Sequence, residues 1–385
     1  MSPLDDFTAS EIRHLLGRSA RARVGPNERR ALAGQRVLIT GAAGSIGSEL
    51  AREIAACDPA VLGLVDQSEI GLFHLERELD ADYPEAAPVA VLADVSRGPA
   101  MLRACRLIRP DVVYHAAAYK HVTMAERAAA SAARVNVLGT AETAAAAASV
   151  GARFVLISSD KAADPASVMG ATKRLAERVS LAMASPAFRP VVVRFGNVIA
   201  SSGSVVRIMR EHVRRRLPIP LTDEGATRYF MTAEEAVALV LRADLLGTAP
   251  EIFWLEMGRP IRLRDLTDRL LEVEAAAGFP AVPVDVIGLR PGEKRNEVLA
   301  DGRLSFRRTV DRRIRVASDA SSPIDDVPVV LARLRGAVAR ADDAAVLRIL
   351  AEAVAGFEPS AQAQDAAAAC GPIATRPVRR PGQAA

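Results

Sequence analysis

Between Arg36 and Arg194 the chain alternates short apolar runs with longer stretches of helical periodicity. The runs are Val37-Leu-Ile, Val61-Leu-Gly-Leu-Val, Val89-Ala-Val-Leu, Val112-Val-Tyr, Phe154-Val-Leu-Ile and Val191-Val-Val. Runs this short and uniformly apolar read as buried strands. Helical crossovers between them predict an α/β protein with a doubly wound parallel sheet. The Ala-rich stretch Ala128–Val150 reads as one long helix whose small residues suit either an internal contact or a dimer face.

Outside this region the pattern changes. Residues 1–33 are polar and Arg-rich, with one short helical stretch at Glu11-Ile-Arg-His-Leu-Leu, and read as a leader. From Gly196 to Leu299 the pattern is irregular, with clusters of Gly, Pro and charge, as in loops that carry function. This divides the chain into a nucleotide-binding part at 34–195 and a substrate-binding part at 196–358, interleaved with the first. Two helices are expected within it, at Asp325–Arg340 and Asp343–Gly356. Beyond Glu358 periodicity is lost, and residues 359–385 read as a disordered tail.

Composition narrows the class. A chain of 385 residues can bury a large core in one or two domains. A net charge of +4 is small for this length and gives no reason to expect nucleic acid as a partner. Cys57, Cys105 and Cys370 have no metal-ligand spacing, which suggests a reducing compartment, no disulfide framework and no metal. No segment approaches the ~18 apolar residues of a membrane span. The N-terminus lacks signal-peptide character, so a cytoplasmic protein is expected.

The candidate chemistry sits where the strands end. Thr40-Gly41-Ala-Ala-Gly44-Ser45-Ile46-Gly47 follows the first run and opens a helix. Gly41 permits a tight turn, Gly44 lets backbone approach a pyrophosphate, and Gly47 lets helix and strand pack closely. Asp66 ends the second run, placed either to accept both adenosine ribose hydroxyls or to cap the next helix. No Arg or Lys follows in Gln67-Ser68-Glu69 to hold a 2′-phosphate, which favours NAD over NADP. Asp94 follows the third run and either approaches the adenine or closes an Asx turn. After the fourth run, His115-Ala116-Ala-Ala-Tyr-Lys120-His121 supplies small residues that let backbone pass a cofactor. Lys120 and His121 either face phosphate or sugar, or are a solvated Lys and a capping His.

The segment after the fifth run, Ser158-Ser159-Asp160-Lys161, puts an acid and a potential base where α/β sheets bind ligands. Met169 and Lys173 lie one turn apart on the following helix. A methionine neither takes nor gives a proton, so either the chemistry rests on Asp160 and Lys161 or the protein is an NAD-binding sensor with an eroded site. Further on, Asn197, Ser204, Arg228, Arg290 and Glu293 fall in polar clusters. Arg228 and Arg290 are donors suited to a diphosphate, so an anionic nucleotide ligand is expected.

The segments Thr40-Gly-Ala-Ala-Gly-Ser-Ile-Gly-Ser-Glu-Leu, His115-Ala-Ala-Ala-Tyr-Lys-His-Val, Ser158-Ser-Asp-Lys-Ala, Val168-Met-Gly-Ala-Thr-Lys-Arg, Arg194-Phe-Gly-Asn-Val, Thr227-Arg-Tyr-Phe-Met and Gly288-Leu-Arg-Pro-Gly-Glu-Lys together resemble one family. It is the capsular-polysaccharide UDP-N-acetylglucosamine 4,6-dehydratases of the extended short-chain dehydrogenase type, and the likeness runs from about Leu15 to Pro359. Met169 is similar to the family's long branch, whose members carry an N-terminal membrane domain; this chain resembles that branch's catalytic domain without the membrane part, with residues 1–33 resembling a remnant of the linker. The resemblance implies a Rossmann-like fold, recycled NAD, a UDP-sugar ligand and a homo-oligomer. It also implies Lys161 as the C5 base, Asp160 as the acid at the C6 hydroxyl, Ser159 on the C4 oxygen and Lys173 on the nicotinamide ribose. The branch implies retention at C5; a C5-inverting dehydratase or an epimerase uses the same ketone. Ser159 stands where Thr is usual in that family, Thr123 where Pro is, and Arg295-Asn296 where an apolar-aromatic pair is.

Overall fold

The computed structural model describes residues 7–297, 304–319 and 326–369. The expected runs form strands β1 (Arg36–Thr40), β2 (Val61–Asp66), β3 (Pro88–Leu92), β4 (Val112–His115), β5 (Arg153–Ser159) and β6 (Pro190–Phe195). All of these pair in parallel, in the spatial order β3-β2-β1-β4-β5-β6. The central residues of β1, β2, β4, β5 and β6 are buried, because helices cover both faces, while β3 at the sheet edge is half-buried. This is the Rossmann-like arrangement.

The sheet extends further than the apolar pattern between 36 and 194 suggested. β7 (Glu251–Leu255) adds in parallel to β6, then β8 (Leu304–Arg308) and β9 (Ile314–Asp319) close that edge antiparallel, giving nine strands. The irregular region between 196 and 299 holds three long helices, Val205–Arg214, Ala233–Leu246 and Leu263–Ala276. Ala233–Leu246 is buried almost all round, so no polar stripe marks its period.

The Ala-rich stretch forms consecutive helical segments, Ala129–Ala133, a π turn at Arg134–Leu138, and Gly139–Ser149. Together with the helix Val168–Ala182, part of it packs against Val327–Ala339 and Asp343–Ala353 in one apolar cluster with Leu334, Val346 and Leu350. Its small residues therefore make an internal contact. The segment read as a leader carries helices Ala9–Leu16 and Pro26–Leu32, with Leu15, Leu16 and Leu32 buried. Arg18 pairs with Glu235 at 2.6 Å, and Arg242 with Glu28 at 2.6 Å, fastening this segment to the helix Ala233–Leu246. Within the stretch read as a tail, Ala361–Ala368 is a helix and Ser360 binds Glu126 at 2.5 Å. Cys370 and the rest of that stretch lie outside the described residues, while Cys57 and Cys105 are buried free thiols. Among the described residues no helix is long and apolar enough to cross a membrane, and none of their His, Cys, Asp and Glu side chains form a metal-holding group.

One buried ion pair ties the sheet to the helix Val168–Ala182. Glu177 accepts from Arg194 Nε at 2.8 Å and Nη2 at 2.5 Å, and from Ser158 Oγ at 2.5 Å. Burial works to raise the Glu177 pKa, but the Arg194 guanidinium outweighs it and holds the carboxylate ionised. Removing one partner of such a pair strands the other charge in the core. Glu177→Ala is expected to lose about 3–5 kcal/mol of unfolding free energy in urea titrations. A loss below about 1 kcal/mol would show that the pair does not hold β5, β6 and this helix together.

Candidate active site

The C-terminal ends of β1, β2, β4 and β5 converge on one edge of the sheet, and nearly every residue singled out above lies along it. Gly41 has φ 67°, and a Cβ there would lie 2.5 Å from the Ala117 nitrogen. A Cβ on Gly47 would stand 2.0 Å from the Gly41 carbonyl oxygen, so only glycine lets the helix seat on the loop. Gly44 is the N-cap of the helix Ser45–Ala55, and its missing Cβ would meet only the Gly41 carbonyl, at 3.2 Å. That face is open to a ligand, and the first turn carries no acidic side chain against an anion. Ser45 is held by the loop after β6: Ser202 N donates to its Oγ at 2.9 Å, and that Oγ donates to Ser202 Oγ at 3.2 Å. Ile46 packs on the core.

Gly41, Gly44, Asp66, Asp94, Ala116 and Val135 line a cleft of about 130 Å³ beside this helix start. Asp66 Oδ2 accepts from Ala43 N at 3.0 Å and Oδ1 from Ser68 N at 2.9 Å, so the carboxylate shapes the glycine loop. The next helix is capped by Ser68, not by Asp66. Asp94 closes an Asx turn onto Ser96 and also pairs with Arg134. Burial opposes ionisation of Asp94, but Ser96 and Arg134 more than compensate and lower its pKa.

His115 is fully buried between the hydroxyls of Thr40 and Thr140, at 2.6 and 3.1 Å. Asn136, on the π turn, accepts from Tyr119 N at 2.7 Å and donates to Tyr119 O and to Thr172 Oγ1, both at 3.0 Å. It binds the loop after β4 to the helix Val168–Ala182, a role the sequence reading missed. Its one signal was a lone Asn inside an alanine-rich helix.

Beyond β5, Ser159 Oγ donates to Asp160 Oδ1 at 2.8 Å, and Lys161 Nζ reaches the same oxygen at 3.1 Å. Asp160 Oδ2 is buried against Gly196 with no hydrogen-bond partner among the described residues. Lys161 differs from what its proposed role requires. Burial works to lower its pKa, but Asp160 and Glu297 outweigh burial and raise it above the usual lysine value. Glu297, not recognised from the sequence, stands 3.0 Å from Lys161 Nζ. Lys173 donates to the Ile157 carbonyl at 2.6 Å. Burial pushes its pKa down to about 8 against the pull of Glu177. Met169 is buried in the apolar cluster under the C-terminal helices.

The remaining candidates lie on neighbouring loops. Lys120 Nζ reaches Ser201 Oγ at 3.4 Å, and its pKa is lowered by burial and by Arg207. His121 packs on Gly203, with its pKa lowered by burial and by Lys120. Ser204 stands at the N-cap position of the helix Val205–Arg214, and its buried Oγ has no partner among the described residues. Asn197 pairs with Tyr229, bringing the loop after β6 to Arg228. Arg228 lies 3.6 Å from Glu297. Glu293 closes the Arg290 turn by accepting from Arg290 N at 3.2 Å. The unusual pair Arg295-Asn296 is absorbed locally: Arg295 pairs with Asp223 at 3.2 Å, and Thr227 donates to Asn296 at 2.9 Å.

A glycine-cradled helix start, a carboxylate at the end of β2 and an acid-lysine pair at the end of β5 thus lie along one edge of a Rossmann-like sheet. The chain belongs to the family described as polysaccharide biosynthesis protein, whose model matches residues 37–318. It is 41% identical over 271 residues to the probable polysaccharide biosynthesis protein EpsC of Bacillus subtilis, covering 69% of this chain and 45% of that protein. It is 39% identical over 274 residues to the capsular polysaccharide biosynthesis protein CapD of Staphylococcus aureus, covering 70% and 46%. The chain thus spans less than half the length of either relative. Among solved structures it is similar to Pen from Bacillus thuringiensis, with TM-score 0.69 and 28% identity over 77% of this chain and 90% of that one. The fold is also shared with DesIV of Streptomyces venezuelae, a dTDP-glucose 4,6-dehydratase solved with NAD and TYD, with TM-score 0.62 and 23% identity over 69% of this chain and 88% of that one.

Two measurements probe this edge. Gly47→Ala should push the Gly41 carbonyl out of place and weaken NAD at least about tenfold in a fluorescence titration, a cost of ~1.4 kcal/mol; unchanged affinity would show that the loop is not the cofactor cradle. His115 titrates near 6.5 when free of its surroundings and at about 3 in the fold, through burial first and the Lys173 charge second. A base with a depressed folded pKa contributes stability above its unfolded pKa and loses it as pH falls toward the folded one. Between pH 6.5 and about 3 this site should therefore cost up to ~1.4 kcal/mol per pH unit. His115→Asn should flatten the slope of urea stability against pH, and identical slopes would contradict the assignment.

Proposed function

We propose that the chain is an NAD-dependent nucleotide-sugar 4,6-dehydratase, acting on UDP-N-acetylglucosamine with retention at C5 and serving polysaccharide or glycan synthesis. The observation that carries this is the hydrogen-bonded series Ser159–Asp160–Lys161 at the end of a central strand. The Gly41–Gly47 cradle, Asp66 and Lys173 would hold NAD, which supplies a hydride acceptor at C4 and a donor at C6. Asp66, with no cation in the residues that follow, suits a free 2′-hydroxyl. Lys120, Ser204, Arg228 and Arg290 are the donors offered to the diphosphate, and His121, Asn197 and Glu293 shape the adjoining loops.

The protons balance on this chain's own residues. Ser159 donates to Asp160, so it is set to take the C4 hydroxyl proton and pass its own to Asp160 Oδ1. Met169 is then not needed as a base. A ketone at C4 acidifies the C5 proton, which a neutral Lys161 takes at Nζ. Asp160, now protonated at Oδ1, gives that proton to the C6 hydroxyl, which leaves as water. The C6 carbon receives hydride, and Lys161 returns a proton to the same face of C5, restoring carboxylate and neutral amine. Retention follows from one base serving both C5 steps.

Purified protein with UDP-N-acetylglucosamine should yield a UDP-4-keto-6-deoxy sugar, seen by its alkali-induced ultraviolet absorbance and by NMR. Lys161→Ala should bind NAD and UDP normally, lose ~10²–10⁴ in turnover, and fail to exchange deuterium into C5. Near-wild-type turnover in that variant would sink the assignment of the base, and a C5-inverted product would transfer the protein to the inverting class.

A further inference from the structure

The segment expected as a leader joins two regions of the fold. Leu15 and Leu16, on the helix Ala9–Leu16, lie in one apolar cluster with Met209, Phe230, Leu266 and Leu270, all from the region between 196 and 299. Glu11 pairs there with Arg210 at 2.6 Å, and Arg269 donates to the Leu15 carbonyl at 2.8 Å. Leu32 lies instead in the cluster of Leu50 and Ile54, on the helix that follows the glycine loop. Arg29 donates to the Ala56 carbonyl at the end of that helix, at 2.8 Å. Arg18 stands where the chain crosses from one region to the other. Its Nη1 donates to Glu235 Oε1 at 2.6 Å, and its Nη2 to Glu235 Oε2 at 3.1 Å and to the Phe230 carbonyl at 3.0 Å. We propose that Arg18 is a positioning residue for the diphosphate of a nucleotide ligand, setting the Arg228 guanidinium through its bond to the Phe230 carbonyl. This role rests on the reading of Arg228 given above.

The bond directions supply the reason. Phe230–Met231 pairs in parallel with Asn197–Val198, a ladder of 2 residues on each side. So short a strand is below the usual length and needs support from its surroundings. The Tyr229 and Met231 carbonyls point into the ladder, where they accept from Asn197 N at 3.0 Å and Ile199 N at 2.9 Å. The Phe230 carbonyl lies between them and points away, and Arg18 takes it. Arg228 enters this strand from the preceding turn, and its Nη1 is tied to main chain, at the carbonyls of Thr227 and Arg295, at 2.8 and 2.9 Å. Its guanidinium therefore follows the backbone that Arg18 steadies. The other end of the Arg18 fork is equally fixed. Glu235 accepts from Thr232 N at 2.9 Å and from Arg21 N, closing the cap of the helix Ala233–Leu246, and its side chain is 2% exposed. Arg18 thus ties the strand leading from Arg228 to a buried helix start, and the leader holds Arg18 in place from both of its anchored helices. A planar guanidinium spans carboxylate and carbonyl at once, as the point charge of a lysine does not.

The test separates placement from folding. Arg18→Lys keeps a charge against Glu235 but loses the fork that reaches Phe230. Arg18→Met combined with Glu235→Gln removes both charges together, so neither is stranded in the core. In the full chain, UDP affinity by calorimetry should fall at least about fivefold in both variants, the low end of ordinary coupling between sites. NAD affinity by fluorescence titration should stay at the wild-type value. Amide hydrogen exchange in peptides covering 227–231 should be faster in both variants than in wild type. In turnover the loss should appear in KM with kcat held, because a diphosphate contact is made alike in ground and transition states. Wild-type UDP affinity in a folded variant, unchanged exchange at 227–231, or an equal loss of NAD and UDP would each overturn the inference. If the UDP and exchange results hold but no sugar is dehydrated, the placement by Arg18 stands and the proposed reaction falls. If dehydration proceeds and neither UDP affinity nor KM moves, Arg18 falls alone.

Discussion

The buried carboxylate of Glu177 is the point on which the reactive edge depends. A fully buried ionised carboxylate is tolerated only when its lone pairs are filled. Here Arg194 from β6 and Ser158 from β5 fill them, and Arg174 on the same helix adds a positive charge 3.7 Å away. Three elements are thus locked in one register, and each carries something the site uses. β5 delivers Ser159 and Asp160, β6 leads into Asn197 and the serine loop, and the helix holds Lys173 one turn before Glu177. The partners that satisfy the charge also fix the distances at which the chemistry would occur.

A second layer of constraint comes from backbone. Gly41 and Gly47 are glycines because two pieces of main chain approach each other more closely than any Cβ allows. Asp66 completes that loop by accepting Ala43 N, so a residue suited to a ribose also shapes the turn that would receive the phosphates. Asn136 does the same on the opposite wall, joining the loop after β4 to the helix of Lys173 through Tyr119 and Thr172. The π turn supplies the irregularity that aims this side chain inward, as such turns do at functional sites.

What could be read from the sequence follows from this physics. The strands β1 to β6 were legible because a parallel strand covered on both faces is a continuous apolar run. The glycine loop was legible because its spacing reports backbone contacts. Of the helices between residues 196 and 299, Ala233–Leu246 was not, since it lies inside the protein and shows no polar stripe. The segment expected as a leader is pinned by Arg18–Glu235 and Glu28–Arg242, long-range pairs that no local pattern announces. Glu297 was invisible for the same reason: it follows a charged, irregular stretch, and only the return of that stretch over β5 gives it a partner. The raised Lys161 pKa inverts the expectation from burial alone, because two carboxylates outweigh desolvation.

Met169 then has a physical place. Its side chain is part of the apolar cluster beneath the C-terminal helices, where an ionisable phenol would need a partner. A thioether there removes one titrating group from the edge and leaves proton traffic to the series Ser159–Asp160–Lys161. Such a series can turn over only if its proton count is right at the start: a carboxylate and a neutral amine, one proton fewer than the ion pair that Asp160 and Lys161 form. Glu297 deepens this mismatch by pairing with the same amine. An amine kept as ammonium cannot strip protons from stray carbonyl compounds, nor form imines with them. The same carboxylate would therefore keep a buried lysine charged and unreactive.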